Sequence, residues 1–121
     1  MSLKSSLGPL ERDVMDALWV AGPSTVRDVR QRLTKKSAYT TIMTVMNRLV
    51  RAGWLRRHLA NHGAYEYAPV ASRSNLLGQA TRQTVDALVK QYGDIALVQF
   101  MERLDTIPPE KQQQLRKLLK S

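Results

Sequence analysis

The alternation of apolar and polar residues is most regular between residues 37 and 53. Apolar residues recur there at intervals of three and four, as on one side of an α-helix: Ile42, Val45, Met46, Leu49 and Val50. The opposite side carries Thr40, Thr44, Asn47 and Arg51, with Met43 and Arg48 beside them. Ser37 is predicted to cap the start of this helix, and Gly53 to end it. On periodicity alone, an ordinary amphipathic helix with a solvated polar face remains an alternative to a binding helix.

Two helical patterns precede this stretch, over residues 9–20 and 25–33, and Thr25 with Asp28 predicts a capping box. Residues 54–59 and 64–69 flank Ala-Asn-His-Gly and predict a β-hairpin. We expect Trp19 to pack in the core, and Tyr65 and Tyr67 to pack against the first helix.

Two helices joined by residues 34–36 and followed by a hairpin form a winged helix-turn-helix pattern. The predicted fold class is mainly α with a small β-hairpin wing. A winged helix-turn-helix DNA-binding domain is expected over residues 1–70, beginning with a loose tail at residues 1–6, and a helical dimerisation region over residues 71–121.

The C-terminal region predicts helices over residues 72–92, 95–104 and 110–120, with Gly93 ending the first and Asp94 capping the second. The first has an apolar side predicted at Leu77, Ala80, Thr84, Val85 and Leu88. Three helices within so short a segment bury a core poorly alone, so we expect a twofold homodimer. The expected dimer contacts are Leu77, Val85, Leu88, Val98, Met101, Leu115, Leu118 and Leu119. The alternative is a monomer in which these helices fold back onto the N-terminal domain.

The net charge of +9 favours a polyanionic partner. Residues 27–57 hold nine Lys or Arg and one acid, Asp28, so +8 of the charge lies in this segment. The absence of cysteine excludes disulfides, thiolate metal sites and a catalytic thiol. Without a signal peptide or an apolar run of membrane-spanning length, the chain is expected to be cytoplasmic, with no membrane insertion.

The acid-free polar side of the helix at residues 37–53 is predicted to lie in the major groove of double-stranded DNA. Thr40, Met43, Thr44 and Asn47 are the predicted base-contacting residues; methyl groups suit thymine, and the amide of Asn47 suits adenine. The predicted phosphate contacts are Lys35, Lys36, Thr41, Arg48, Arg51, Arg56, Arg57 and His62. A twofold dimer would bind a palindromic operator with half-sites about one helical turn apart, or a multiple of it.

Several motifs resemble the penicillinase-repressor (BlaI/MecI/CopY) family. They are LGPLERDVMDALW, STVRDV, AYTTIMTVMNRLVRAGWL with its TT-x-x-T-x-x-x-RL pattern, and the hairpin ending AYEYAPV. IALVQFMERL followed by PPEKQQQLRKLL is similar to that family's dimerisation region. The resemblance implies a homodimeric transcriptional repressor that binds operator palindromes.

The resemblance also implies regulation by proteolysis, with a membrane sensor protease acting indirectly. Penicillinase repressors of this family are cut in the dimerisation region at an Asn-Phe bond, and the matching position here is Gln99-Phe100. The phenylalanine agrees and the residue before it does not. Copper-responsive members carry a C-terminal cysteine cluster, which this chain lacks, so no metal and no cofactor are expected.

Two other function classes remain as alternatives. An enzyme is disfavoured because the sequence has no P-loop, no Gly-rich nucleotide loop and no zincin helix. A winged-helix module that contacts protein or RNA without operator recognition is the second alternative, since a fold does not fix a function. The hydroxyl-rich helix face favours duplex DNA, because the major groove of RNA is too narrow for side chains to enter.

Overall fold

The computed structural model describes residues 6–119, which form six α-helices and one two-stranded antiparallel hairpin. The order is α1 (Pro9–Ala21), α2 (Val26–Arg32), α3 (Tyr39–Arg51), β1 (Leu55–Leu59), β2 (Tyr65–Pro69), α4 (Arg73–Tyr92), α5 (Asp94–Asp105) and α6 (Pro109–Leu119). The predicted fold class is confirmed, with helix boundaries within about two residues of those expected. The predictions for residues 1–5 and for Lys120 lie outside the described residues.

The chain divides into two compact units, Met1–Gln83 and Thr84–Ser121. The apolar core of the first unit joins α1, α2 and α3 to the hairpin and the start of α4. Its largest fully buried side chains include Trp54, Tyr67, Met15, Leu18, Ile42, Met46 and Leu49. Trp19 packs at the edge of this core as predicted, and its indole Nε1 donates a hydrogen bond to the carbonyl of Ala71 at 3.1 Å.

The ends of the short helices follow from local hydrogen bonds. The Thr25–Asp28 capping box is confirmed: the Asp28 N–H donates to Thr25 Oγ1 at 3.1 Å, and the Thr25 N–H donates to Asp28 Oδ2 at 3.2 Å. At the end of α3, Gly53 has φ +90°, and its N–H donates to the carbonyl of Val50. The following N–H, of Trp54, donates to the carbonyl of Leu49, which completes a Schellman motif.

The prediction that Ser37 caps α3 is wrong. Ala38 is the N-cap residue, and no side chain caps this helix. Ser37 lies one position too early, and its carbonyl instead accepts a hydrogen bond of 2.8 Å from Nε of Arg30. The start of α3 is therefore connected to α2 through the side chain of Arg30.

The hairpin pairs β1 with β2, with Arg57 opposite Tyr67 and Leu59 opposite Tyr65. Ser24 forms a further antiparallel bridge with Tyr67, so the strand Tyr65–Pro69 pairs on both edges. Tyr67 is 2% exposed, which confirms its predicted core position. The same prediction for Tyr65 is wrong: this residue is 45% exposed, because it begins β2 next to the hairpin turn, two residues before the buried part of the strand.

Helix α4 spans the division between the units, and its first turns belong to the first unit. Leu76 and Ala80 are its buried residues, whereas Leu77, predicted as a dimer contact, packs half-buried against the N-terminal core. The main contact of α4 with the N-terminal core is therefore made by Leu76, the residue before Leu77, at which the predicted apolar side began.

The second unit, from Thr84 on, contains the end of α4 with α5 and α6. The prediction that Asp94 caps α5 is wrong, because Gly93 is the N-cap residue, with φ +64°, and Asp94 is already in the helix. Among residues 84–119, Ala96 is the only buried residue. Large apolar side chains of this unit are exposed: Ile95, Leu97, Val98, Met101, Leu104, Leu118 and Leu119.

Candidate nucleic-acid interface

Helix α3 has one fully buried side and one outward side. Ile42, Met46 and Leu49 are 0% exposed. Thr40, Thr44 and Arg51, on the other side, are exposed, and Met43 is 37% exposed. The predicted base-contacting side is therefore accessible for a full turn on either side of Thr44, and α3 contains no acidic residue.

Thr44 uses its hydroxyl within its own helix. Its Oγ1 donates a hydrogen bond of 2.9 Å to the carbonyl of Thr40, one turn earlier. The methyl group of Thr44 stays available to a ligand, and its hydroxyl oxygen can still accept a hydrogen bond. The arrangement agrees with the predicted methyl contact to thymine, since the donor is already used.

Asn47 is half-buried and is engaged by the wing. Its Oδ1 accepts two hydrogen bonds of 2.7 Å, one from Nη1 of Arg57 and one from the hydroxyl of Tyr67. The adenine pairing predicted for Asn47 needs both Oδ1 and Nδ2. In the structure Oδ1 is used by the wing, and Nδ2 is the amide atom left for a ligand. Nothing in the sequence pattern indicated this contact, which joins residues twenty positions apart.

Five of the predicted phosphate-contacting residues lie on α3 or shortly before it. Lys35 and Lys36 are exposed immediately before the helix, Thr41 is exposed in its first turn, and Arg48 and Arg51 are exposed in its last turn. Because lysine and arginine side chains are long, they can reach phosphates on either side of a groove that holds the helix. The structure thus brings these residues together around one surface.

The two arginines of the wing lie on opposite faces of the hairpin. Successive side chains of a strand alternate, so Arg57 shares a face with Tyr65 and Tyr67, while Arg56 shares the other with His58. The guanidinium of Arg57 lies 4.5 Å from the centre of the Tyr65 ring, a cation–π contact. The predicted pair of phosphate contacts is therefore divided, with only Arg57 beside α3.

His62 lies exposed at the tip of the wing, where its Nδ1 accepts a long hydrogen bond of 3.4 Å from the N–H of Ala64. Its other ring nitrogen, Nε2, remains free to act as a donor to a phosphate. His58, on β1, instead faces Glu66 across the hairpin, with Nε2 and Oε1 3.4 Å apart. The wing therefore presents one histidine at its tip and one paired with an acid.

Two outward arginines of α2 are used for internal contacts that the sequence did not reveal. Arg30 holds the carbonyl of Ser37, and Nη1 of Arg32 donates a hydrogen bond of 2.9 Å to the hydroxyl of Ser24. Both contacts run between segments that only the fold brings together. Part of the positive charge of residues 27–57 therefore also stabilises the connection between helices.

The described residues contain no group of His, Cys, Asp or Glu able to hold a metal ion. No helix among them combines the length and the hydropathy needed to cross a membrane. In the second unit, Gln99 is exposed and Phe100 half-buried, both in the middle of α5.

Comparison with known proteins agrees with this geometry. A family model described as "Penicillinase repressor" matches residues 7–121. The transcriptional regulator BlaI of Mycobacterium tuberculosis, in two strains, is 40% identical over 111 residues, covering 86% of this chain and 78% of that protein.

Solved structures show the same fold. The monomeric form of Bacillus licheniformis BlaI, in complex with the blaP half-operator, matches 62% of this chain and 93% of its own, with 26% identity and a TM-score of 0.50. MepR, a transcription regulator of the Staphylococcus aureus multidrug efflux pump MepA, matches 95% of this chain and 76% of its own, with 13% identity and a TM-score of 0.53. MepR supports the winged-helix fold alone. From the family match and the mycobacterial relative, the chain belongs to the penicillinase repressor family of transcriptional regulators.

Proposed function

We propose that this chain represses transcription by binding a palindromic DNA operator as a homodimer, with α3 in the major groove. The observation that carries the proposal is the division of α3 into a fully buried apolar side and an exposed, acid-free side of hydroxyl, thioether and guanidinium groups. Those groups match base edges, thymine methyls and phosphates. Thr40, Met43 and Thr44 would contact bases. A repressor acts where the operator lies, so the proposal includes a cytoplasmic location.

The charge distribution supports a nucleic-acid partner. The excess of +8 over residues 27–57 lies on α2, α3, β1 and the connection between α2 and α3, which carries Lys35 and Lys36. Neutralising DNA phosphates releases counterions, so affinity should fall steeply as salt rises. The phosphate-contacting residues would be Lys35, Lys36, Thr41, Arg48, Arg51, Arg56, Arg57 and His62.

Likeness to a relative with bound DNA supports the operator as the partner. The Bacillus licheniformis BlaI structure contains the blaP half-operator, and its match includes almost the whole of that chain. A half-operator bound by a monomeric form agrees with one α3 helix per half-site. By that likeness, we place one copy of this chain on each half of a palindrome.

The C-terminal unit supports homodimer formation. Met101, Leu104, Leu115, Leu118 and Leu119 line an apolar groove of about 570 Å³ between α5 and α6. Other large apolar side chains of this unit, such as Ile95 and Leu97, are exposed as well, and clustered exposed apolar side chains are typical of an interface between protein chains. A second copy, presenting the same groove, would cover it, and Val85, Leu88 and Val98 would extend the contact.

We further propose that proteolysis between Gln99 and Phe100 releases the repressor, as in the relatives that the sequence resembles. In a single chain only Ala96 is buried among residues 84–119, so α5 should open locally at a modest free-energy cost whenever the two copies separate. Cleavage there would separate α6 from α4 and break the dimer contact. A membrane sensor protease would act indirectly, so the test is induction of cells that contain both the sensor and this chain: a product ending at Gln99 supports this step, and an intact chain after induction contradicts it.

A competition experiment tests the DNA proposal against the alternative of RNA or protein contact. A mobility-shift assay would compare random-sequence duplex DNA with structured RNA of equal charge, from about 50 mM to about 200 mM salt. Preference for duplex DNA, with affinity falling steeply in salt, supports the proposal. Equal or tighter binding to RNA, or no binding to either, contradicts it. The matched control is Lys117→Ala in α6, which should leave binding unchanged.

A further inference from the structure

Three elements of the DNA-binding unit meet at one oxygen atom. Oδ1 of Asn47, on α3, accepts from Nη1 of Arg57 on β1 and from the hydroxyl of Tyr67 on β2, both at 2.7 Å. Arg57 and Tyr67 are directly opposite each other in the hairpin, so their side chains reach the helix from the same face. The contact therefore fastens both strands of the wing to the recognition helix.

The chemistry of the donors fixes the orientation of the amide. An arginine has only N–H donors, so the Asn47 atom that faces Arg57 must be the carbonyl oxygen. That oxygen has two lone pairs, and the two donors use both. The amide nitrogen is left with no partner among the described residues. Asn47 is consequently unsuited to the paired acceptor and donor contact by which asparagine identifies adenine.

Arg57 is held from two sides. Asn47 binds one of its guanidinium nitrogens, and the ring of Tyr65 lies 4.5 Å from the guanidinium carbon. A free arginine on a surface samples many rotamers and loses that freedom when it binds a phosphate. An arginine already fixed by an amide and an aromatic ring loses less, and its remaining N–H donors stay available.

We propose that Asn47 is a positioning residue: it fixes Arg57, and with it the wing, for contact with the DNA backbone beside α3, instead of identifying a base. The inference rests on the proposed function and goes beyond it by giving Asn47 and Tyr67 a role that neither had. Arg57 becomes the preorganised phosphate contact of the wing, whereas Arg56, on the opposite face, lacks such support.

The structural half of the proposal is tested without DNA. Thermal unfolding of the full chain would be compared for Asn47→Ala, Tyr67→Phe and the double variant. If the hydrogen bond exists in solution, Tyr67→Phe should lower the midpoint in the wild-type background and have little effect once Asn47 is alanine. If Tyr67→Phe lowers the midpoint equally in the two backgrounds, the hydrogen bond between Tyr67 and Asn47 does not exist in solution.

The functional half is tested by duplex affinity and its salt dependence. Asn47→Ala should weaken binding about tenfold on every duplex, as expected when a hydrogen bond to a charged group is lost, with base preference unchanged. In an Arg57→Met background, Asn47→Ala should cause almost no further loss. In the matched Arg56→Met background, Asn47→Ala should still weaken duplex binding about tenfold. The salt slope should fall by about 1 with Asn47→Ala, as with Arg57→Met.

Two results would overturn the functional half. One is a change of preferred base at a single operator position in Asn47→Ala, which would restore direct base contact. The other is a double variant, Asn47→Ala with Arg57→Met, whose loss of duplex affinity equals the sum of the losses of the two single variants in free energy. If the wild-type chain binds no duplex, the proposed function itself fails, and the phosphate contact of Arg57 fails with it. If the wild type binds but one of the two results above is found, only the positioning role of Asn47 fails.

Discussion

The indole rings of Trp19 and Trp54 meet edge to face, with centroids 6.4 Å apart and planes inclined at 65°. Trp54 is fully buried directly after α3, while Trp19 lies on α1 and stays partly exposed. Aromatic pairs in this geometry contribute about 0.5–1.5 kcal/mol beyond the area they bury. The pair therefore fixes the end of α3 against α1.

Trp54→Ala should destabilise the fold by about 3–5 kcal/mol, since it opens a large cavity in a closely packed core. Trp19→Ala should cost less, because part of that ring is already in contact with water. Urea denaturation at equilibrium measures both changes in the free energy of unfolding. Equal losses for the two variants would contradict the difference in burial.

Thr25→Ala should lower the free energy of unfolding by about 1 kcal/mol, because it removes the hydroxyl that caps α2. Thr25→Ser keeps the hydroxyl and is the control. Thermal unfolding of the two variants and the wild type gives the comparison, and an equal loss in both would show that the cap contributes nothing.

Asp28 should make stability depend on pH in the acid range. The Thr25 N–H, chiefly, and the Thr25 hydroxyl hold the pKa of its carboxyl below the ordinary value of 3.8. A lowered folded-state pKa gives stability that is fully present above 3.8 and is lost as pH falls through the folded value. Asp28→Asn should therefore reduce the loss of stability on acidification. An unchanged acid profile in this variant would contradict the assignment.

Thr44→Ser should reduce discrimination in favour of thymine about fourfold, because it removes one methyl group, worth about 0.8 kcal/mol when buried. Thr44→Val keeps a methyl and loses a hydroxyl whose hydrogen is already bound to the Thr40 carbonyl, so it should change base preference little. Affinities for duplexes with thymine or uracil at the contacted position measure the difference. A larger effect of valine than of serine would contradict the methyl contact.

Arg51→Ala should weaken binding on all duplexes and lower the salt slope by about 1, as expected for one lost phosphate contact. Arg51 lies in the last turn of α3, where a side chain reaches the backbone more readily than the bases. Arg82→Ala, an exposed arginine of α4, is the control and should leave the slope unchanged. A slope unaltered in Arg51→Ala would refute the phosphate contact.

Met101→Glu should convert the proposed dimer into a monomer, because a charge would be buried in the apolar groove of α5 and α6. Gln113→Glu adds the same charge at an exposed position of α6 and should leave the dimer intact. Sedimentation equilibrium at micromolar concentration measures the mass. A wild-type chain that is already monomeric at micromolar concentration would contradict the proposed homodimer.

The fold could be predicted from sequence because its signals are local. The intervals of Ile42, Val45, Met46 and Leu49 gave α3, and the Thr25–Asp28 pair gave the start of α2. Ser37 and Asp94 were misplaced as caps because several residues near a helix start can cap it, and only the backbone geometry decides between them.

The internal contacts of the site could not be predicted, because they depend on distant residues meeting. The composition of α3 indicated which side would be exposed, and the burial of Ile42, Met46 and Leu49 agrees with that side. Asn47 has the same polar character whether its oxygen is free or bound, and the bond from Tyr67 depends on the hairpin register. The exposure of Tyr65 likewise depends on how far the helices cover the strand, which residue type does not encode.

The most direct test of the account is selection of bound sequences from a random pool of duplex DNA by the full-length chain. Contact of α3 with base edges in a twofold dimer predicts recovery of one palindrome, with half-sites about 10 base pairs apart or a multiple of that spacing. Repeating the selection with Thr44→Ser should weaken preference at symmetric positions of that palindrome. Recovery of no preferred sequence, or of one without twofold symmetry, would contradict the central claim.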